Sequence, residues 1–452
     1  MNPQMPYSFP LVERLPYSAG LGARLRESAV AASRPVWLRL AAGDQELFAA
    51  WPEYVIRLEA AVLQRFGRSG TEALTGGVDA LWSVIREGLP ACASGQRPFH
   101  GGWLGSFSYD LGTCKTPVSS TFPDALLGNY RRFIWIDHKA CIAEMVTVDG
   151  FTGPADDWRV IVNQATSQAV ISGTFRLLTP FKPMTSRSRY ADDFMRIQTY
   201  LHAGDCYQVN YAQAFHARCT GQGAIAMRHL LALSRASHAA WMLAPEGEVL
   251  CLSPELFLSI RDGRVLTKPI KGTAPRSANP AIDEHNKTQL AQSNKNQAEN
   301  LMIVDLLRHD LGRHAKTGTV RVERLFDIES LPQVHHMVST ISAEVSTGCD
   351  AIDVIRDCFP GGSITGAPKK RAMEIIAELE PTPRSIYCGS IGFITAGGDT
   401  ELNIAIRTLL RLGGDMYTWA GGGIVADSDC DAEYQECFDK MGALMKALED
   451  GE

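Results

Sequence analysis

The chain has no C-x-x-C pair, no dense run of lysine and arginine, and no apolar stretch near the ~20 residues of a membrane helix. Each absence removes a class of function. The eleven cysteines are scattered at irregular spacing, an odd and unpaired set that suits reduced thiols in a cytoplasmic protein. A formal net charge of -6 without a basic run argues against nucleic-acid binding. Met1 to Pro10 shows no basic segment followed by an apolar run, so neither a signal peptide nor a membrane partner is expected. G-x-S-x-G and H-E-x-x-H are missing too. Gly361 to Lys369 resembles a phosphate-binding loop, but Ala367 follows Gly366 where that loop needs lysine. What is present is ordinary for a globular protein: 452 residues, 45% hydrophobic and 21% charged, enough for two or three domains or one large interlocked one.

Periodicity places the elements. Pro35–Leu40 and Trp103–Asp110 read as strands, and Arg132–Asp137 with Ala140–Val148 as a hairpin. Tyr54–Phe66 carries Val55, Leu58, Ala61, Val62 and Phe66 at helical spacing, which predicts a helix; Val78–Glu87 predicts another. Thr179–Arg189, broken by Pro180 and Pro183, reads as a linker. Thr185 or Ser188 is expected to cap a helix over Tyr190–Ala203. Beyond it come a strand over Cys206–Phe215, a helix over Ala224–Ser234, and strands through Thr273. Helices are expected over the later part of Asn279–Leu311, over Ala351–Cys358 and Pro368–Leu379, and from about Asp431 to Leu448, with strand pairs around Gly397-Gly398 and Gly413-Gly414. Hairpins and strand-strand-helix order favour antiparallel sheets with helices outside.

The candidate chemistry begins at Lys271, in Pro269-Ile270-Lys271-Gly272-Thr273. A lysine held in apolar surroundings loses solvation of its ammonium and gains nucleophilicity; the plain alternative is a surface lysine at a strand end. Glu299 lies on a helix whose apolar side is expected to be Leu301, Met302, Val304 and Leu306. Glu433 and Glu436 share one face of the last helix. Carboxylates without histidine or thiolate suit a hard ion such as magnesium, against the alternative of a solvated face. Glu255, in Ser253-Pro254-Glu255-Leu256-Phe257, is either a buried proton donor or a salt-bridged structural residue. Gly421-Gly422-Gly423 suits close backbone approach to an anion, or merely a tight turn. Arg407 is suited to clamping a carboxylate, or to a structural ion pair.

Together these stretches resemble a known family. Gly204-Asp205-Cys206-Tyr207-Gln208-Val209-Asn210, Leu252-Ser253-Pro254-Glu255, Pro269 to Thr273, Ala298 to Asp305, Gly361 to Lys369 and Ala420 to Val425 look like the chorismate-utilising enzymes. That family includes anthranilate, isochorismate, salicylate and aminodeoxychorismate synthases, and the resemblance is greatest to the aminodeoxychorismate synthase component I branch. The motifs cover roughly 190 to 445, while the first 180 residues match weakly, best at Gly105 to Gly112. The resemblance implies an α+β fold of two antiparallel sheets packed face to face, helices outside, with N- and C-terminal parts intertwined as in anthranilate synthase component I. It implies an N-terminal region over 1–175, a linker over 176–189 and a chorismate-binding catalytic region over 190–452.

Residue by residue, the resemblance implies magnesium on Glu299 and Glu436, with Glu433 nearby or bound through water. The amides of Gly272, Gly421 and Gly422, with Thr273, would receive the ring carboxylate. Arg407, Tyr387 and Gly423 would hold the enolpyruvyl carboxylate, and His336 would lie near the departing hydroxyl. Glu255 would be the general acid and base. Lys271 stands where anthranilate synthases have alanine, which points to a lysine that bonds covalently to the ring before ammonia displaces it. Gln208 stands where isochorismate and salicylate synthases have a lysine that activates water; an amide cannot do so. The implied product is 4-amino-4-deoxychorismate, for 4-aminobenzoate and folate synthesis. No G-x-C-x-G elbow occurs, so a separate glutamine amidotransferase subunit is the implied ammonia source. The alternatives are anthranilate synthase component I, which Lys271 disfavours, and an inert chorismate-binding subunit.

Overall fold

The computed structural model describes residues 10–40, 43–67, 70–89, 97–113, 122–148, 151, 153–167, 173–234 and 236–451. The first nine residues, where no signal peptide is expected, lie outside them. The described strands form two large antiparallel sheets, one of 13 strands and one of 12, packed face to face with helices outside. Strands from the two ends of the chain share each sheet. In the first, Val36–Leu40 pairs with His238–Ala244; in the second, Gly102–Phe107 pairs with Ser390–Thr395. Neither end can therefore complete its own sheet, and the intertwining expected from the resemblance is what the pairing shows.

The core is one contiguous apolar cluster that draws on both sheets. Trp37, Phe48 and Trp241 of the first sheet and Trp103 and Phe107 of the second are fully buried. Large side chains of this kind contribute roughly 1.5–3 kcal/mol each, which favours this pairing over any that exposes them.

One expected helix is absent. Tyr54–Glu59 and Val62–Gly67 form a hairpin, turned at Ala60 and Ala61, both at positive φ (48° and 63°). The apolar spacing fits a helix, but Val55 and Ile56 are β-branched, and Tyr54–Glu59 finds a ladder partner in Ala125–Tyr130. Tertiary pairing overrides local period here. The helix expected from Tyr190 starts earlier, at Arg187, and its cap is Ser186, whose side chain accepts from the Arg189 N–H; neither Thr185 nor Ser188 caps it. The strand expected over Cys206–Phe215 runs instead over Gln208–Gly221. The helices over Gly77–Glu87, Gly223–Leu233, Ala351–Cys358, Lys369–Leu379 and Cys430–Glu449 lie where periodicity places them. Among the described residues, no helix is long and apolar enough to cross a membrane.

Of the passages that carry the chain between the sheets, two meet at the site. Gly247–Ser253 belongs to the first sheet and Leu256–Arg261 to the second, so Pro254 and Glu255 make the passage. Thr400–Asn403 belongs to the second and Thr408–Leu412 to the first, so residues Ile404 to Arg407 return. The passages are tied together: Ser253 Oγ donates to the Ile404 carbonyl at 2.6 Å, and the Ile404 N–H donates to the Glu255 carbonyl at 3.0 Å. Crossovers leave the ladders, so their side chains are free to converge.

Candidate active site

They converge on a cleft of about 530 Å³, lined by Glu255 and Arg407 from the crossovers and by Lys271, Gly272, Thr273 and His336 from the second sheet. Tyr387, Gly421 and Gly423 also line it, and two helices add Glu299, Glu433 and Glu436. Of the residues given a role in the sequence, Gly422 and Gln208 are not on its lining. Its size suits a small organic ligand.

Lys271 lies on Ile270–Pro275 with its side chain largely buried. Its surroundings are polar, not apolar as the neighbouring Ile270 suggests. Nζ is 3.0 Å from Glu299 Oε1 and donates to the Ser363 carbonyl at 3.0 Å. The helix that supplies Glu299, Asn294–Gly312, buries Ile303, Val304, Leu307 and Leu311. Leu301, expected on the apolar side, is 46% exposed, because the buried stripe is set one position away. Burial works against the charge of Glu299, yet Lys271 and a 2.8 Å hydrogen bond from Gln208 Nε2 hold its pKa below the ordinary carboxylate range.

Glu255 is buried, and burial raises its pKa above the ordinary range. Ser363 Oγ donates to its Oε1 at 2.6 Å, and Lys271 stands near enough to oppose the shift. His336 is also buried, and burial, with the positive charge of Arg407, pulls its pKa down to about 4. Its Nδ1 is 3.0 Å from Thr273 Oγ1, its ladder partner, while Nε2 is buried without a hydrogen bond. The imidazole is therefore neutral near pH 7.

Arg407 decides between the two readings of its run. Its guanidinium makes no ion pair or hydrogen bond with the described residues, and burial alone lowers its pKa. Its φ of 51° is a strained left-handed conformation for a non-glycine residue. A half-buried guanidinium without a carboxylate suits an anion from outside. Tyr387 stacks on Trp419 beside it, with ring centroids 6.2 Å apart.

The glycine run is a strand, not a turn, and its parity sorts its amides. The Ala212 N–H donates to Glu380 Oε1 and the Asn210 N–H to the Thr365 carbonyl, so both turn away from Asp415–Ile424. Their register partners, Gly421 and Gly423, therefore turn their backbone groups outward, while Gly422 pairs with Tyr211 in the ladder. Thr408–Leu412 covers this edge only as far as Thr418, which leaves it open to the cleft beyond. Gly422 is thus corrected: its amide is not offered to a ligand. Its lack of a side chain serves Glu433 and Glu436, whose oxygens would lie 2.7 and 3.3 Å from a Cβ there. Gly272, at φ 91°, has no room either, since a Cβ would lie 2.8 Å from Asn296.

The three glutamates gather around Gly422 and Gly423; a Cβ on Gly423 would lie 3.1 Å from Glu299 Oε1. Among the described residues, no three His, Cys, Asp or Glu side chains are close enough to cage an ion by themselves. Glu433 Oε2 is nevertheless buried without a partner, while its Oε1 accepts from Ser428 at 2.7 Å. Burial, helped by the charge of Glu436, raises the pKa of Glu433. Glu436 is paired with Lys440 at 2.5 Å, and Lys440 also donates to the Gly421 carbonyl at 2.9 Å. A set of hard oxygens with one orphaned fits a divalent cation that keeps waters and takes further oxygens from a ligand.

Sequence reading missed several lining residues: Asn210, Lys295, Asn296, Ser363, Trp419 and Lys440. Lys440 was within reach, four residues after Glu436 on the same helix face. Ser363 gave no signal, since its partners come from distant segments.

A family model described as chorismate binding enzyme matches residues 55–446. The chain belongs to the chorismate binding enzyme family. The match includes strands of both sheets and both of these crossovers, and it reaches back into the weakly matching N-terminal region as far as the strand Tyr54–Glu59. The aminodeoxychorismate synthase component 1 of Klebsiella aerogenes is 43% identical over 393 residues, covering 84% of this chain and 86% of that protein. The protein of the same name from Escherichia coli K12 is 43% identical over 358 residues, covering 78% of each. Among solved structures, anthranilate synthase component I from Streptococcus pneumoniae matches with a TM-score of 0.77 at 28% identity, covering 89% of this chain and 92% of that one. Among chorismate binding enzymes, then, this chain shares its fold with an anthranilate synthase component and high identity with aminodeoxychorismate synthase components.

Proposed function

We propose that the chain is an enzyme that converts chorismate and ammonia to 4-amino-4-deoxychorismate, on the path to 4-aminobenzoate and folate. The observation that carries this is the placement of Lys271: an amine inside the cleft, 3.0 Å from the carbonyl of the residue that holds the buried acid Glu255. The 43% identity to two aminodeoxychorismate synthase components supports it.

Chorismate carries two carboxylates. The Arg407 guanidinium has no partner among the described residues and is the group for one, beside Tyr387 and the outward Gly423 N–H. The other would meet Thr273 and the N–H groups of Gly272 and Gly421. Lys271 attacks ring carbon two through Nζ, and the carbon four C–O bond breaks with proton delivery from Glu255, releasing water. A carboxyl whose pKa is raised by burial is suited to that donation. The neutral His336 leaves Nε2 to bond the departing hydroxyl rather than to protonate it. Ammonia then attacks carbon four and expels the lysine nitrogen, so the enolpyruvyl group stays in place. Gln208, engaged with Glu299, cannot act as a base toward water.

Glu299, Glu433 and Glu436 are the residues that would hold a magnesium ion, which when bound would neutralise the ring carboxylate. Lys271 and Lys440 pair with two of these carboxylates. We propose a separate glutamine amidotransferase subunit as ammonia donor and the cytoplasm as the compartment, in keeping with the unpaired described cysteines.

Purified chain, chorismate, magnesium and an ammonium salt test the reading. A product that yields 4-aminobenzoate only after an added lyase is expected, with loss of rate in EDTA. Anthranilate fluorescence appearing without the lyase would overturn the assignment.

A further inference from the structure

Ser363 touches both groups that the chemistry needs. It sits in the short turn Gly362–Ile364, lines the cleft and is 8% exposed. Its hydroxyl donates to Glu255 Oε1 at 2.6 Å, and its carbonyl accepts from Lys271 Nζ at 3.0 Å. The turn is fastened on both sides. Thr365 Oγ1 donates to the carbonyls of Gly361 and Gly362, and Arg384 Nη1 donates to the Ile364 carbonyl at 2.9 Å. Gly362 has no space for a side chain, since a Cβ would lie 2.8 Å from Leu306. The turn is rigid, and only the serine hydroxyl reaches the acid.

We propose that Ser363 is a positioning residue for proton transfer: one residue sets the separation of acid and amine, and its hydroxyl stabilises the carboxylate left when Glu255 has given its proton to the leaving hydroxyl. This rests on the reading of Glu255 as the acid. Other groups face the same carboxyl. Lys271 and Lys440 are the nearby cations, the Ile270 N–H is a second donor, and Cys388 is a further ionisable neighbour. None of them is removed by changing Ser363. The serine donor favours the charged form of Glu255, so its loss moves the proton affinity of that carboxyl upward.

The test is the pH profile of kcat/KM for chorismate at fixed free ammonia, in wild type, Ser363→Ala, Ser363→Thr and Glu255→Gln. An acid must be protonated to act, so Glu255 governs the limb on which activity falls as pH rises. In Ser363→Ala this limb should move up by roughly one pH unit, the worth of one hydrogen bond to a charged group, with kcat down about tenfold. Ser363→Thr keeps a hydroxyl and should keep the wild-type limb. If alanine leaves too little rate to profile, the infrared carboxyl band of Glu255 followed against pH carries the same shift. A limb and band unmoved in Ser363→Ala overturn the proposal while leaving Glu255 as the acid. A limb that persists in Glu255→Gln removes Glu255 itself, and the proposal with it.

Discussion

Two arginines, the buried Arg384 behind the cleft and the half-buried Arg407 within it, are handled in opposite ways. Arg384 is 1% exposed and saturated: it donates to both Glu380 oxygens, at 2.9 and 2.7 Å, and to the Ile364 and Asn210 carbonyls. Its guanidinium also lies over the Tyr109 ring, 4.5 Å from the centroid. The Arg407 guanidinium has no such partner among the described residues. Interiors pair their polar groups almost without exception. The difference therefore separates a guanidinium satisfied by folding from one left for a ligand.

The comparison can be broken most directly at the chemistry. Glu255→Gln should lower the rate of product formation by about 10²–10⁴-fold, and Lys271→Ala by at least as much, measured by the lyase-coupled assay. Near wild-type rates in Lys271→Ala would end the covalent role. Behind the cleft, Arg384→Met strands Glu380 in the interior and should cost about 3–5 kcal/mol of unfolding free energy in a urea titration. Stability unchanged there would mean that folding does not depend on satisfying Arg384.

His336 gives a smaller effect with a definite sign. Its folded pKa, about 4, lies below the ordinary 6.5. Both states are neutral at high pH, and the unfolded state takes up its proton first as pH falls. The native state thus loses stability from pH 6.5 downward, by at most about 3 kcal/mol once pH passes 4. His336→Asn should flatten that part of the melting-temperature profile. Arg407→Met sharpens the comparison from the other side. It should raise the KM for chorismate by roughly 30-fold, in line with loss of a desolvated charge contact, without lowering the melting temperature. A fall in stability like that of Arg384→Met would show that the two arginines are alike.

Legibility in the sequence followed the range of the interaction. Glu433 and Glu436 share a face because three helical residues separate neighbours, a reading that needed only local geometry, whereas Gly272 and Thr273, expected where a strand ends, lie inside the strand Ile270–Pro275. The hairpin over Tyr54–Gly67 defeated local reading because its partner strand, Ala125–Tyr130, lies about sixty residues away. Gly422 failed for a related reason: which amides of a strand face outward depends on ladder parity, set here by Glu380 and Thr365 from elsewhere in the chain.

Residue types and their order along the chain were enough to determine the family, the antiparallel plan and about half of the residues that line the cleft, because these follow from local periodicity and contiguous motifs. Only the tertiary structure decided that the Arg407 guanidinium stands without a partner among the described residues, that Lys271 is paired with Glu299, and that Ser363 joins acid to amine. Those are statements about which distant groups meet and which are left unmet, and a linear order carries no distances.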